Sequence, residues 1–419
     1  MAIIQIKSSN PDFSFIIKKN PASGMQLRSI RKGIAYGWYH GTDTYNIYFK
    51  DADTDISYKQ HRDETFEYLN VSRYNTPLLP LNAIAEFLSA TFKNKNEKDK
   101  DGYENSFFVN MIHIKYPRYI DFFNKHFTDF HIEIEQHIHK SYKMTIKSNR
   151  SIYKLVNFAN VLFLFLAMLG KEYLGVSDSL VEKYLKSMNI IDAPYYIRYL
   201  FARNVLINKE IFYKFKKELE QTGKYAINFV FGNTAIQRKQ FIEKGISFDK
   251  SILDIGCGEG FYALPFSGKI EDNFYYAIDI NEELIREVDI KAKKRNIENL
   301  ITFPSLHTYL ESYSGEVVDV LLTEVIEHMD VPEAELLVKS VYENVKFDKF
   351  IITTPNYDFN QYYALNEFRH SDHKWEMNKN EFEKWIHDMF KETNYTLQFL
   401  NIGDSVDGVY TTQGVLITT

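Results

Sequence analysis

At 419 residues the chain is too long for a single ordinary core, so two or three domains are expected, and an apolar content of 45% is enough to build them. The one cysteine, Cys257, excludes an intrachain disulfide and fits a reducing, cytoplasmic setting. The net charge of -6 is uneven: residues 1–249 carry 35 Lys and Arg against 26 Asp and Glu, residues 250–419 carry 15 against 30, and the acidic rear part argues against a broad grip on nucleic acid there.

In chain order, the opening MAIIQIKSSNPDFSF lacks a charged stretch followed by an apolar one, so it does not read as a signal peptide. Residues 1–128 alternate strand-like runs (FSFIIKK, AYGWYHG, TYNIYFKD, NSFFVNMIHI) with one helical pattern, LPLNAIAEFLSATFKNK, which predicts an α+β lobe. The polar residues 94–104 read as a solvated loop or hairpin tip. Residues 129–222 are expected to form a helical subdomain. There apolar side chains recur at helical spacing, and Ser177-Asp178-Ser179 offers an N-cap before LVEKYL. The most apolar run, residues 155–170, is too short to span a bilayer and holds Asn157 and Asn160, so a buried helix and no membrane contact are expected. Residues 223–247 read as a connector containing the helix AIQRKQFIEKG.

From residue 248 the pattern becomes β-loop-α. SILDI, FYYAIDI, VVDVLLT and FIITTP read as strands, and NEELIREVDIKAKKRN, EVIEHM and PEAELLVKSVYENV as helices. This predicts an α/β fold, a doubly wound Rossmann-like domain over residues 248–419, with YTLQFLNIGD and GVYTTQGVLITT as an antiparallel hairpin at its edge. The first strand runs into Asp254-Ile255-Gly256-Cys257-Gly258-Glu259-Gly260, where Gly256, Gly258 and Gly260 permit a tight turn and close approach to a ligand. The spacing differs from the dinucleotide G-x-G-x-x-G pattern, and basic residues are scarce, as suits a cofactor without phosphates. Asp279 closes the next strand, where its carboxylate can accept from both ribose hydroxyls of a nucleoside. Together these features favour S-adenosylmethionine (SAM).

Thr323-Glu324-Val325-Ile326-Glu327-His328 places Glu324, Glu327 and His328 at i, i+3 and i+4, one face of a helical turn. The segment FRHSDHKWE offers a further imidazole, and two carboxylates with two imidazoles suit a divalent cation. Mixed Glu and His ligation fits Mn²⁺, Co²⁺ or Mg²⁺, with Zn²⁺ also open.

TEVIEHMD, ITTPNYDFN, FRHSDHKWEMNKNEF and the terminal TTQGVLI resemble, in this order, the HEN family of RNA 3′-terminal ribose 2′-O-methyltransferases. The resemblance covers residues 251–419. It implies that Glu324, Glu327, His328 and His373 hold the metal, and that Ser305 in FPSLHTY lies beside the cofactor, although Pro304 replaces the family's usual Gly. Trp375, Met377 and Asn378-Lys379 also depart from the family pattern, at positions expected on the RNA-facing wall. Ahead of this, FSFIIKKNP, FEYLNVSRYNTPLLPLNAIAEFLSATF, LVNFANVLFLFLAMLGKEYLGVSDSLVEKYL and YYIRYLFARNVL are similar to the N-terminal region of bacterial members. In those proteins the region accompanies a polynucleotide kinase–phosphatase–ligase and supports sealing of broken RNA.

The expected reaction is transfer of the SAM methyl group to the 2′-hydroxyl of a terminal ribose bearing a 2′,3′-diol, which a single cation can chelate. His328 is the candidate general base, although a nitrogen that ligates the metal cannot also take the proton. Two other readings stand beside this one: a metal-independent methyltransferase for small molecules, and a non-catalytic ligase-activating module.

Overall fold

In the computed structural model, which describes residues 2–31, 33–51, 58–59, 68–69, 74–138, 140–363 and 368–419, strands alternate buried and exposed side chains in the first part of the chain and bury nearly everything in the second. That difference sorts them into an antiparallel sheet with one covered face and a mainly parallel sheet covered on both. The chain divides accordingly into two units, Met1–Lys224 and Tyr225–Thr419.

Among the described residues the first unit carries nine strands: β1 (Ala2–Ser8), β2 (Gln26–Ile30), β3 (Gly33–His40), β4 (Thr44–Asp51), β5 (Tyr58–Lys59), β6 (Tyr68–Leu69), β7 (Asn105–His113), β8 (His131–Ile138) and β9 (Ser141–Ser148). Seven of them form an antiparallel sheet in the order β2-β3-β4-β1-β7-β9-β8, and β5 pairs with β6. Along β1 the buried set is Ala2, Ile4, Ile6 and Ser8, a period of two.

Several expectations need correction here. FSFIIKK contains a one-turn helix, Phe13–Ile16, because Phe13 and Ile16, three apart, both turn into the core. The helical pattern near residue 80 forms two helices, Leu78–Phe87 and Ser89–Lys93, separated at Leu88. The sheet does not end at residue 128: β8 and β9 extend it to Ser148, and β9 completes the pairing of β7. Part of the FEYLNVSRYN match, residues 66–67 and 70–73, lies outside the described residues.

The apolar run is longer than expected, a 19-residue helix, Ile152–Gly170, long and apolar enough by composition to cross a membrane. It is instead a core helix, with 83% of its most apolar window buried inside the unit. Both of its asparagines meet one hydroxyl: Asn157 accepts from Ser187 Oγ at 2.8 Å, and Asn160 donates to Ser187 Oγ at 3.1 Å. The loop expected to be solvated supplies the helix's first turn. Asp99, 1% exposed, accepts from the amides of Ile152 and Tyr153, both at 2.8 Å. Helices Asp178–Ile190, Tyr195–Asn204 and Lys209–Glu220 complete the unit, the first capped by Ser177 as expected.

The second unit holds β10 (Ile227–Asn228), β11 (Ser251–Ile255), β12 (Tyr275–Ile278), β13 (Leu300–Phe303), β14 (Val318–Thr323), β15 (Phe347–Pro355), β16 (Thr396–Val406) and β17 (Val409–Thr418). Their order is β10-β16-β17-β15-β14-β11-β12-β13. Strands β13, β12, β11, β14 and β15 run parallel, and β17, β16 and β10 are antiparallel. The doubly wound Rossmann-like fold and its terminal hairpin are present. The residues expected as a connector are integral to this unit: β10 pairs with β16, and Gln237 of the helix Thr234–Gly245 donates to Asp404 Oδ1 at 2.8 Å. Pairing runs outward from β11 to β12 on one side and to β14 on the other, so chain order reverses between β11 and β14. Ligands bind such sheets outside the carboxyl ends of the strands at that reversal.

Candidate active site

Two loops leave the sheet at the reversal point. The first follows β11, where Gly256, Gly258 and Gly260 all have positive φ. At Gly256 (φ 79°) a side chain would be strained, and its Cβ would lie 2.3 Å from Val325 Cγ2. At Gly258 (φ 54°) a Cβ would meet nothing within 4 Å, so the backbone faces open space there. Asp279 ends β12 and ties the loop down: its Oδ2 accepts from Gly258 N at 2.8 Å and its Oδ1 from Asn281 N at 2.9 Å. Both oxygens keep a second lone pair for a ligand hydroxyl. An open glycine turn with a half-buried carboxylate beside it fits the nucleoside part of an uncharged-ribose cofactor.

Asp254, expected to bind the cofactor, stands at the end of β11 directly before the glycine loop. It is completely buried, Tyr275 Oη donates to its Oδ2 at 2.8 Å, and its Oδ1 has no protein partner. Burial pushes its pKa up to about 7 against the hydrogen bond from Tyr275. Asp254 thus ties the end of β11 to β12 through Tyr275. Ser305 lies just past β13 and caps the helix Leu306–Ser312, accepting from Thr308 N at 3.1 Å.

The second loop follows β14. The turn is tighter than the helix expected from i, i+3, i+4 spacing: only Ile326–His328 are helical, in a 3₁₀ turn, and Glu324 adopts φ 55°. The Glu324 carboxylate is taken up by Arg238 and Thr353. Arg238 Nη1 lies 3.0 Å from Glu324 Oε2, and Thr353 Oγ1 donates to Oε1 at 3.1 Å. Glu327 points into the protein. It is 0% exposed, accepts from Thr354 Oγ1 at 3.2 Å through Oε2, and has no donor for Oε1. Burial, then the neighbouring Glu324 carboxylate, holds its pKa well above the usual carboxylate range.

The FRHSDHKWE segment docks onto this turn through two backbone contacts. Lys374 N donates to Glu327 O at 2.8 Å, and the Trp375 indole donates to Met329 O at 2.9 Å. His373 is thereby brought beside His328, the ring centroids 4.8 Å apart and nearly perpendicular. Ligand atoms of Glu327, His328 and His373 all lie within 4.8 Å of one another. Glu324, expected as a fourth ligand, is outside this cluster because Arg238 and Thr353 hold it. A buried carboxylate oxygen without a donor, next to two imidazoles, fits a divalent cation.

Sequence reasoning missed the residues that hold these groups. Glu376 Oε1 lies 2.6 Å from His373 Nδ1, which leaves Nε2 as the ligating nitrogen. Glu376 also accepts from Asn360 Nδ2 at 2.6 Å and Arg369 N at 2.7 Å. Arg369 spans the loop base, donating to Asn360 Oδ1, Thr411 O and Asn356 O. Asp372 Oδ2 lies 3.2 Å from His328 Nδ1, and its Oδ1 pairs with His370 Nδ1. His370 is therefore a neighbour of the cluster and not a member. Trp375 and Met377, expected on an RNA-facing wall, instead pack against the sheet's core, and Asn378 caps the helix Lys379–Phe390.

Two family profiles match the chain: the Hen1 N-terminal domain over residues 3–224 and a methyltransferase domain over residues 246–404. Among characterised proteins it is 29% identical over 188 residues to the small RNA 2′-O-methyltransferase of Schizosaccharomyces pombe, covering 38% of this chain and 50% of that protein. The Gallus gallus protein of the same description is 31% identical over 197 residues, 41% of this chain and 49% of its own. The chain thus spans about half the length of the curated relatives it matches. Among solved structures it superposes on a chain of a Pnkp1/Rnl/Hen1 RNA repair complex with a TM-score of 0.82 and 25% identity, covering 100% of both chains.

Proposed function

This chain belongs to the Hen1 family, and from that premise we propose that it transfers a methyl group from SAM to the 2′-hydroxyl of the 3′-terminal ribose of RNA, with a divalent cation at Glu327, His328 and His373. The observation that carries the proposal is the position of that triad. It stands at the sheet's reversal point, one van der Waals contact from the glycine loop through Val325 and Gly256. The methyltransferase-domain match over residues 246–404 and the small RNA 2′-O-methyltransferase relatives support the same reading.

In this scheme the backbone at Gly258 and the Asp279 carboxylate seat the nucleoside of SAM, with Asp254 tying the end of β11 to β12 and Ser305 at the edge of the pocket. Glu327 presents Oε1, His373 presents Nε2 under the hold of Glu376, and His328 presents the ring nitrogen that Asp372 does not take. Glu324 joins the set only by leaving Arg238. A cation of the Mn²⁺, Mg²⁺ or Co²⁺ type bound there supplies a Lewis acid that lowers the pKa of a ligated hydroxyl. Because His328 spends one nitrogen on Asp372 and offers the other as ligand, its contribution is coordination, and the 2′-hydroxyl proton passes to water. A 2′,3′-diol offers two adjacent oxygens, so the end of an RNA strand is selected without contacts to the base.

The full-length likeness to a chain of an RNA repair complex supports a polynucleotide kinase–phosphatase–ligase as partner, with residues 1–224 as the ligase-activating region. A reducing, cytoplasmic setting is in keeping with the single buried Cys257. The direct test is transfer of labelled methyl to RNA ending in a 2′,3′-diol, with 2′-deoxy and 3′-phosphate ends alongside. Activity on the diol alone, abolished by chelator and restored by Mn²⁺, is expected. Equal labelling of the 2′-deoxy end would overturn the reading.

A further inference from the structure

The methyl-transfer site reads an end, and an end alone offers little binding area, so a grip on the adjoining strand must come from elsewhere on the chain. The first unit carries a patch with the required chemistry. Just before and within the first turn of the helix Arg118–His126, Lys115 Nζ lies 5.1 Å from the centre of the Tyr116 ring. Arg118 Cζ lies 5.9 Å from the Tyr116 ring and 5.3 Å from the Tyr119 ring. Tyr119 is near-parallel to Tyr196 (18°, centroids 6.3 Å apart), and Tyr196 is near-parallel to Tyr199 (16°, 6.3 Å). Arg203 Cζ closes the row 5.0 Å from the Tyr199 ring.

Tyr116 is 40% exposed, and Arg118 is exposed. Neither Lys115 nor Arg118 has a carboxylate within ion-pair distance among the described residues, so their charge is neutralised by nothing but ring faces and solvent. The nearest acid on the same helix, Asp121, also faces solvent one turn on. Cations beside one exposed ring, Tyr116, with the half-buried rings of Tyr119, Tyr196 and Tyr199 continuing the row, form the kind of surface that single-stranded nucleic acid uses. Bases stack on the rings, and phosphates meet the cations. Charge complementarity points to a polyanion, because Lys115 and Arg118 add to a part of the chain, residues 1–249, that carries 35 Lys and Arg against 26 Asp and Glu, and the ring faces beside them add the means to stack bases.

From this we infer that the Lys115–Tyr116–Arg118 patch, continued by Tyr119, Tyr196 and Tyr199, is a stacking platform for single-stranded RNA. The inference rests on RNA being the substrate, as proposed above.

The test is fluorescence polarisation of full-length protein with a labelled single-stranded RNA of about a dozen nucleotides, over a range of salt concentrations. Tyr116→Ala and Arg118→Ala are each expected to weaken binding about tenfold. Tyr116→Phe is expected to bind as the parent does, because the ring remains. Arg118→Ala is also expected to flatten the log–log salt dependence by about 0.7, the loss of one phosphate contact. In both alanine variants kcat for methyl transfer is expected to be unchanged and the KM for the RNA raised. Unchanged RNA affinity in both alanine variants would overturn the platform, and so would unchanged RNA affinity with loss of binding to a ligase, which would assign the patch to a protein partner. Polarisation needs no methyl transfer, so the platform and the methyltransferase reading fail separately. A parent protein that binds RNA through these residues but methylates no diol end refutes only the second.

Discussion

Asp319 sits on β14, buried to 1% exposure, with no donor to either carboxylate oxygen. Burial pushes its pKa up to about 6, against the pull of Lys349 and Lys250. The folded state thus binds its proton more tightly than the unfolded chain does. Its cost to stability is absent below about pH 4, grows as the pH rises, and is complete above about pH 6. Asp319→Asn is expected to stabilise the protein by about 2–3 kcal/mol at pH 7.5 and by almost nothing at pH 4, as read from urea unfolding at both values. An equal gain at both would sink this account. At the metal triad, Glu376→Gln should leave the fold intact but release the His373 ring, weakening Mn²⁺ binding by about 10- to 100-fold. Electron paramagnetic resonance titration of free Mn²⁺ measures this directly. His373 itself was legible because its motif resembles a known one. Glu376, three residues on, had no signal of its own, since a buried carboxylate and a surface one look alike until the loop is folded. Glu324 shows the converse: its spacing from Glu327 and His328 is helical, yet its carboxylate is taken up by Arg238 and Thr353.

At the scale of elements, the strands of the second unit were readable because fully buried parallel strands leave short apolar runs between turn signals. What local pattern failed to show was how elements are finished at their ends. Asp99 lies in a stretch that is polar by composition, yet it receives the first amides of the core helix Ile152–Gly170 across more than fifty residues of chain. Arg198 does the same work at helix C-termini. It is 0% exposed and donates to Ala193 O, Leu219 O, Met188 O and Asn189 Oδ1, so one cation satisfies the carbonyl ends of the helices Asp178–Ile190 and Lys209–Glu220. Burial lowers its pKa to about 10, which leaves it charged at neutral pH. Arg198→Met strands those carbonyls in a dry interior and is expected to cost about 3–5 kcal/mol. Arg198→Lys should recover little of this, because an ammonium cannot reach four acceptors from one fork. Chemical denaturation of both variants checks the ranking; a lysine variant as stable as the parent would show that charge alone matters there.

For the molecule as a whole, the division at residues 224 and 225 implies two cores that unfold on their own terms. Residues 225–419 produced separately are expected to keep a native-like circular dichroism spectrum and to bind SAM. A fragment that aggregates or stays unstructured would show that the second core depends on the first. The uneven charge was plain from composition, and Lys115 and Arg118 are two of the cations that make it up. The contact between Gly256 and Val325 reaches further. Two loops that leave different strands, the glycine loop and the loop bearing Glu327 and His328, are fitted to each other so closely that a single methyl group at residue 256 has nowhere to go. Neither loop can drift alone. Transplanting the Glu327–His328 turn into another scaffold would require bringing the glycine loop with it, and any lineage that enlarges one side must trim the other in step. The two sites are, in effect, inherited as one part.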